Sequence, residues 1–145
     1  MPSIDEAAAI LVAKHLKQTG PRMGLLRILL DEHGPFTIEE LHVKLRKARL
    51  DTADLATIYR TMTRFEERGM VVRCDFGDGA VRYELASQDH HHHHIICQKC
   101  HKVTPLGPCH VDLHALLPEG HGYQKVTHKL EFFGICSACV GEKEK

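Results

Sequence analysis

Two Cys-x-x-Cys pairs, Cys97–Cys100 and Cys136–Cys139, stand 35 residues apart in a chain of 145. Each pair brings two thiols to one tight turn, and two pairs together can give four thiolates to one tetrahedral cation. The N-terminal stretch "MPSIDEAAAILVAKHLK" is apolar on one face and carries acids early, so it does not read as a secretion signal. A cytoplasmic, reducing setting is expected, which favours structural Zn2+ over a disulfide or a redox dithiol. Such a site has no open coordination position, and its binding energy is folding energy for the segment it ties together. No run of about 18 apolar residues occurs, so no membrane span is expected.

Histidine is the second outlier. Of 13 histidines, ten lie from position 90 onward, alongside five of the six cysteines. Five are consecutive, His90 to His94, in "DHHHHHIICQKC". Being internal, they are not a purification tag. In an extended strand, side chains alternate between faces. His91 and His93 then point one way and His90, His92 and His94 the other, so one strand can feed two metal sites. Cys74 and Cys109 fall outside the pairs and read as small buried residues or spectator thiols. Downstream, the pattern predicts a short helix around His110 to Leu117 and a long β-prone run from Tyr123 to Ile135, in which Val126, Leu130 and Phe132 supply apolar positions. Strand, strand, helix, strand is a small α/β unit. About 55 residues make only a thin core, so pairing with a second copy, a homodimer, is expected.

The other half has a different periodicity. "IDEAAAILVAKHLK" carries Ile4, Ala8, Leu11 and Val12 at helical spacing. "TGPRMGLLRILLDEHG" places Pro21 in a first turn and Gly34 at a helix end. "TIEELHVKLRKA" begins with Thr37 and Glu40 at capping-box spacing and carries the stripe Ile38, Leu41, Leu45 and Ala48. A fourth helix, "DLATIYRTMTRFEERGM", has Asp54 as N-cap, Leu55, Ile58, Met62 and Phe65 as its buried stripe, and Gly69 as its stop. Two β-prone runs around Gly77-Asp78-Gly79 read as a hairpin. Helices followed by a hairpin is the order of a winged helix-turn-helix. The class is therefore α+β, with a winged helix over 1–85, a hinge at 86–89 and a metal-binding dimerisation domain over 90–145.

Net charge is zero with histidines neutral, so a nucleic-acid reading must rest on local clusters. The fourth helix provides one: Thr57, Arg60, Thr61, Arg64 and Arg68 share the side opposite the buried stripe, with Tyr59 beside them. Hydroxyls and guanidiniums suit phosphates and base edges. Lys44, Arg46, Lys47 and Arg49 form a second basic cluster.

"LATIYRTMTRFEERGMV", "FGDGAVRYE", "HIICQKCHKV" and "HKLEFFGICSAC" together resemble the ferric uptake regulator (Fur) family of bacterial metal-dependent repressors, over nearly the whole chain. The resemblance implies a homodimer that binds a palindromic operator, with a divalent metal as corepressor. It assigns Tyr59 and Arg60 to DNA contact, with Lys17 and Arg22 near the backbone or minor groove. Cys97, Cys100, Cys136 and Cys139 match the structural zinc ligands. Glu84, His92 and His94 match a regulatory site between the domains. His91, His93, Asp112 and His128 match a further site in the dimerisation domain. Three departures stand out. Pro35 occupies a usual histidine position, so that either His33, two residues earlier, substitutes or the ligand is lost. Pro105 occupies an acidic position, with His101, at a usual glycine, able to compensate. His93 replaces an aspartate. Glu84, where zinc sensors often carry cysteine, favours Fe2+ or Mn2+, while the nitrogen-rich remainder also suits Zn2+ or Ni2+.

The expected function is thus a metal-responsive repressor, iron-responsive first, with a zinc-uptake regulator or peroxide sensor of the same family as alternatives. A metal store or chaperone would use the same ligands without the Arg60 and Arg64 face. An enzyme is not expected, nor is a small-molecule substrate, because no convincing base accompanies the cysteines and a four-thiolate site has no vacancy.

Overall fold

The computed structural model describes residues 1–86 and 93–141. The chain divides into two compact units, Met1–Ala86 and Ser87–Lys145. The first holds four helices, α1 (Ile4–Ala13), α2 (Gly20–Glu32), α3 (Ile38–Lys47) and α4 (Leu55–Glu67), and three strands, β1 (Phe36–Thr37), β2 (Val71–Asp75) and β3 (Val81–Leu85). The strands form an antiparallel sheet in the order β1-β3-β2. The hairpin read around Gly77 is β2–β3. The two-residue β1, too short to show in the sequence pattern, pairs Phe36 with Tyr83.

Local signals start these helices. The Thr37 hydroxyl accepts from Glu40 N–H at 3.1 Å and the Glu40 carboxylate accepts from Thr37 N–H at 2.8 Å, the reciprocal box that satisfies two otherwise orphaned donors. Asp54 accepts from Thr57 N–H at 2.8 Å at the head of α4. Three helices end in the same way. Met70, Leu16 and Leu50 each return an N–H to the carbonyl five residues back, of Phe65, Leu11 and Leu45. The preceding residues, Gly69, His15 and Arg49, take positive φ of 70°, 58° and 54°. Only Gly69 announces this in the sequence. At the other two ends, left-handed backbone costs roughly 1 kcal/mol, offset by seating Leu16 and Leu50 against the core.

That core gathers Leu11, Leu25, Leu26, Leu29, Leu41, Leu45, Ile58, Met62, Phe65 and Tyr83, all essentially without solvent contact. Two expected stripes shift. On α1 the inward residues are Ala7 and Leu11, whereas Ile4 and Val12 are exposed. On α4 Leu55 is 43% exposed and Thr61 only 7%. Leu55 occupies the first turn of α4, and Thr61 lies one turn from Phe65 on the packed side.

The second unit has β4 (His94–Cys97), β5 (Val103–Pro105), α5 (Leu113–Leu116), β6 (Glu131–Gly134) and α6 (Ser137–Val140). Its sheet order is β5-β4-β6, with β4 antiparallel to β5 and parallel to β6. The strand expected over Tyr123 to Ile135 forms only at Glu131–Gly134, where β4 lies alongside to receive its hydrogen bonds. The helix expected over His110 to Leu117 shortens to four residues. Leu116, Tyr123, Phe132, Phe133, Ile135 and Val140 are exposed.

Candidate metal centres and nucleic-acid interface

The exposed side of α4 carries Tyr59, Arg60, Arg64 and Arg68, with Thr57 half-buried at its edge. Arg60 donates to the Thr57 hydroxyl at 3.2 Å, which holds the guanidinium against the helix. Arg64 pairs with Glu67 at 3.1 Å in solvent, an interaction worth well under 1 kcal/mol and readily exchanged for a phosphate. Thr61 departs from the expected face. Its hydroxyl donates to the Thr57 carbonyl at 2.8 Å from the packed side, so it belongs to the interior. Lys44 also leaves its basic cluster. It pairs with Glu32 at 2.6 Å and lies 4.7 Å from the Phe36 ring centroid. Lys17, in the connection between α1 and α2, is exposed, and its carbonyl accepts at 3.1 Å from Arg22 in the first turn of α2.

In the second unit, Cys97 closes β4, Cys100 ends the turn that follows it, and Cys136 and Cys139 flank the start and body of α6. The β4 knuckle is held by Cys97 N–H to Lys102 O at 2.9 Å and His101 N–H to Cys97 O at 3.0 Å. His101 has φ of +62°, the conformation that favours glycine there. All four sulfurs lie within 4.8 Å of one another, and Cys100 Sγ is 3.6 Å from Cys136 Sγ. A tetrahedral cation with sulfurs at about 2.3 Å spaces them about 3.8 Å apart, so the donor set fits Zn2+. The thiols differ sharply. Backbone N–H groups of Cys100 and Cys136 converge on Cys97 Sγ and lower its pKa to about 6. Cys139 is pushed up to about 12 by the Cys136 thiol, then by burial and the remaining sulfurs. Cys100 is raised through its neighbouring thiols, against a lowering bond from Lys102 N–H. Crowded sulfurs cannot all ionise unaided, and a dication removes that conflict.

A second cluster joins three segments: His93 just before β4, Cys109 after β5, and His128 ahead of β6. Its third corner is Cys109, which the sequence pattern left as a spectator. Asp112, expected there, accepts from His114 N–H at 2.9 Å and caps α5. His91 and His92 lie outside the described residues. A cysteine left over beside a histidine-rich strand was the only available signal for Cys109. Among the described residues, these two clusters are the groups of three or more metal-donor side chains that converge in this way.

Residues 13–133 match the sequence family described as the ferric uptake regulator family. The chain belongs to that family. It is 34% identical to the ferric uptake regulation protein of Campylobacter jejuni, over 98% of this chain and 91% of that protein. The crystal structure of the Vibrio cholerae ferric uptake regulator superposes with a TM-score of 0.74 at 31% identity, covering 88% of this chain and 98% of that one. The Francisella tularensis ferric uptake regulator, solved with iron, gives 0.71 at 29% identity, covering 86% and 95%. This protein is accordingly a metal-responsive transcriptional regulator of the Fur family.

Its first unit brings two of the expected regulatory ligands to adjoining backbone. His33 ends α2 with φ of +61°, and its carbonyl accepts from Leu85 N–H at 2.8 Å, next to Glu84 on β3. Gly34 makes this approach possible. A Cβ there would stand 2.7 Å from the Tyr83 carbonyl oxygen. His94, in the second unit, is buried at the start of β4 with Pro105 opposite it in the sheet. Among the described residues, no helix is long and apolar enough to cross a membrane.

Proposed function

We propose that this regulator binds a palindromic operator as a homodimer, with Zn2+ in the four-cysteine site and a divalent corepressor, Fe2+ first, held by Glu84, His92, His94 and His33. The observation that carries the reading is the exposed Tyr59, Arg60 and Arg64 side of α4, with half-buried Thr57 at its edge, opposite a packed stripe. A rigid helix with that chemistry suits a major groove, and a two-fold dimer places two such helices one helical turn of DNA apart. The four convergent sulfurs support a structural zinc. The solvent-facing apolar side chains of the second unit, Phe132, Phe133 and Ile135 among them, support burial against a second copy. Glu84 among imidazoles supports Fe2+ or Mn2+, with Zn2+ the competing occupant.

The test is a gel-shift titration of zinc-retaining protein with Fe2+, Mn2+, Zn2+ and Ni2+. The correct corepressor should tighten operator binding by roughly 5- to 150-fold, a coupling of about 1–3 kcal/mol. Glu84→Ala and His92→Ala should lose that gain while remaining dimeric, and Cys97→Ser should lose the dimer. Metal uptake with no change in DNA affinity would instead identify a store.

A further inference from the structure

We propose that His93, Cys109 and His128 form a mixed nitrogen–sulfur cation site that takes a Zn2+-class ion in preference to Mn2+. The inference is independent of the regulatory reading, because it shares no ligand with Glu84, His92, His94 and His33. Three atoms meet at one point: His93 Nε2 and Cys109 Sγ at 3.1 Å, Cys109 Sγ and His128 Nε2 at 3.3 Å, and the two Nε2 atoms at 3.1 Å. The rings face one another at 5.0 Å between centroids. His93 is buried, and the other two are half-buried.

Hydrogen bonding alone satisfies this triangle poorly. Each neutral imidazole Nε2 either carries a proton or offers a lone pair. One Nε2–H and one S–H therefore serve three edges, with the second Nε2 as acceptor. A cation satisfies all three atoms at once. With nitrogens at about 2.0–2.1 Å and sulfur at about 2.3 Å, tetrahedral edges are about 3.3 Å between nitrogens and about 3.6 Å from nitrogen to sulfur. The observed edges are each shorter than these values, by about half an ångström at most.

The thiol sets the selectivity. The family resemblance places a carboxylate, Asp112, at this corner, but that group caps α5. Replacing a carboxylate donor with a thiolate shifts preference from Mn2+ toward Zn2+. Three donors among the described residues leave a fourth position, so this ion exchanges more readily than one in the closed four-cysteine site.

Co2+ is the probe. Full-length protein carrying zinc in its four-cysteine site is titrated with Co2+ while retained zinc is measured. A sulfur-to-cobalt charge-transfer band should grow and saturate at one ion per chain with no zinc released. The Glu84 and histidine site cannot produce this band, because it contains no sulfur. The band should persist in Cys74→Ser and be lost in Cys109→Ser and Cys109→Ala. Equimolar Zn2+ should bleach it and equimolar Mn2+ should not. No band in the wild-type protein, or an undiminished band in Cys109→Ser with zinc retained, overturns the site. Bleaching by Mn2+ as effective as by Zn2+ overturns its selectivity. Because the wild-type spectrum is itself decisive, a variant that fails to fold does not rescue the proposal. Operator binding is scored separately, so failure of the corepressor reading remains distinguishable.

Discussion

Asp78→Asn isolates the feature that holds the wing. Phe76 is 4% exposed and lies outside the main core, with the Arg82 guanidinium 5.4 Å from its ring centroid. Arg82, itself 7% exposed, makes a two-pronged contact with Asp78 at 2.8 and 3.1 Å. Asp78 also accepts from Ala80 N–H at 3.1 Å. The hydrogen-bonded guanidinium brings the Asp78 pKa from 3.8 to about 2. At about 1.36 kcal/mol per unit, this is worth roughly 2–3 kcal/mol at neutral pH. The pKa is depressed on folding. The contribution is therefore complete above 3.8, falls by roughly half near pH 3, and disappears as pH drops through about 2. Asp78→Asn removes the charge and turns an amide N–H toward Arg82, leaving a buried cation without its counter-ion. Urea unfolding followed by far-ultraviolet circular dichroism reports the first unit, which holds the four long helices. The variant should lose about 2–3 kcal/mol at pH 7 and roughly half that at pH 3. A deficit below about 0.5 kcal/mol at pH 7, or one of the same size at both pH values, refutes the argument.

Arg60→Ala should weaken operator affinity by about 1–3 kcal/mol with an unchanged melting curve, checked by titrating labelled operator. Thr61→Val should do the reverse, costing about 1 kcal/mol of stability while operator affinity holds, because its hydroxyl bonds Thr57 O inside the unit. Gly34→Ala combines a φ of +97° with a Cβ 2.7 Å from Tyr83 O and should destabilise the first unit by more than about 1 kcal/mol, read from the same urea curves. Cys97→Ser should lower zinc content by one ion per chain, measured by elemental analysis, with unfolding of the second unit.

Much of the site was legible because spacing and period are local properties. Thr37 and Glu40 announce a box that closes within four residues. Gly69 marks the end of α4, and the arginines of that helix share a side because 3.6 residues make a turn. Local patterns misled wherever a partner element decides the outcome. Leu55 has the right period for burial but stays 43% exposed, whereas Thr61 is buried. The residues before Glu131 have strand-like alternation, but β4 runs alongside only as far as Glu131–Gly134.

The two metal clusters show the same division. The four cysteines could be grouped from sequence because each Cys-x-x-Cys is a preformed pair, leaving one joining step to infer. His93 and His128 were grouped only through the family resemblance and Cys109 not at all, since the three are single residues separated by loops whose course no short-range pattern encodes. The sequence by itself determined the helices, the wing, the basic side of α4 and the paired thiols. Tertiary structure alone placed the Cys109 sulfur, and not the Asp112 oxygen, beside the two rings. Asp112 lies ahead of α5, where unsatisfied N–H groups claim its carboxylate, while the loop after β5 delivers Cys109 to the two rings.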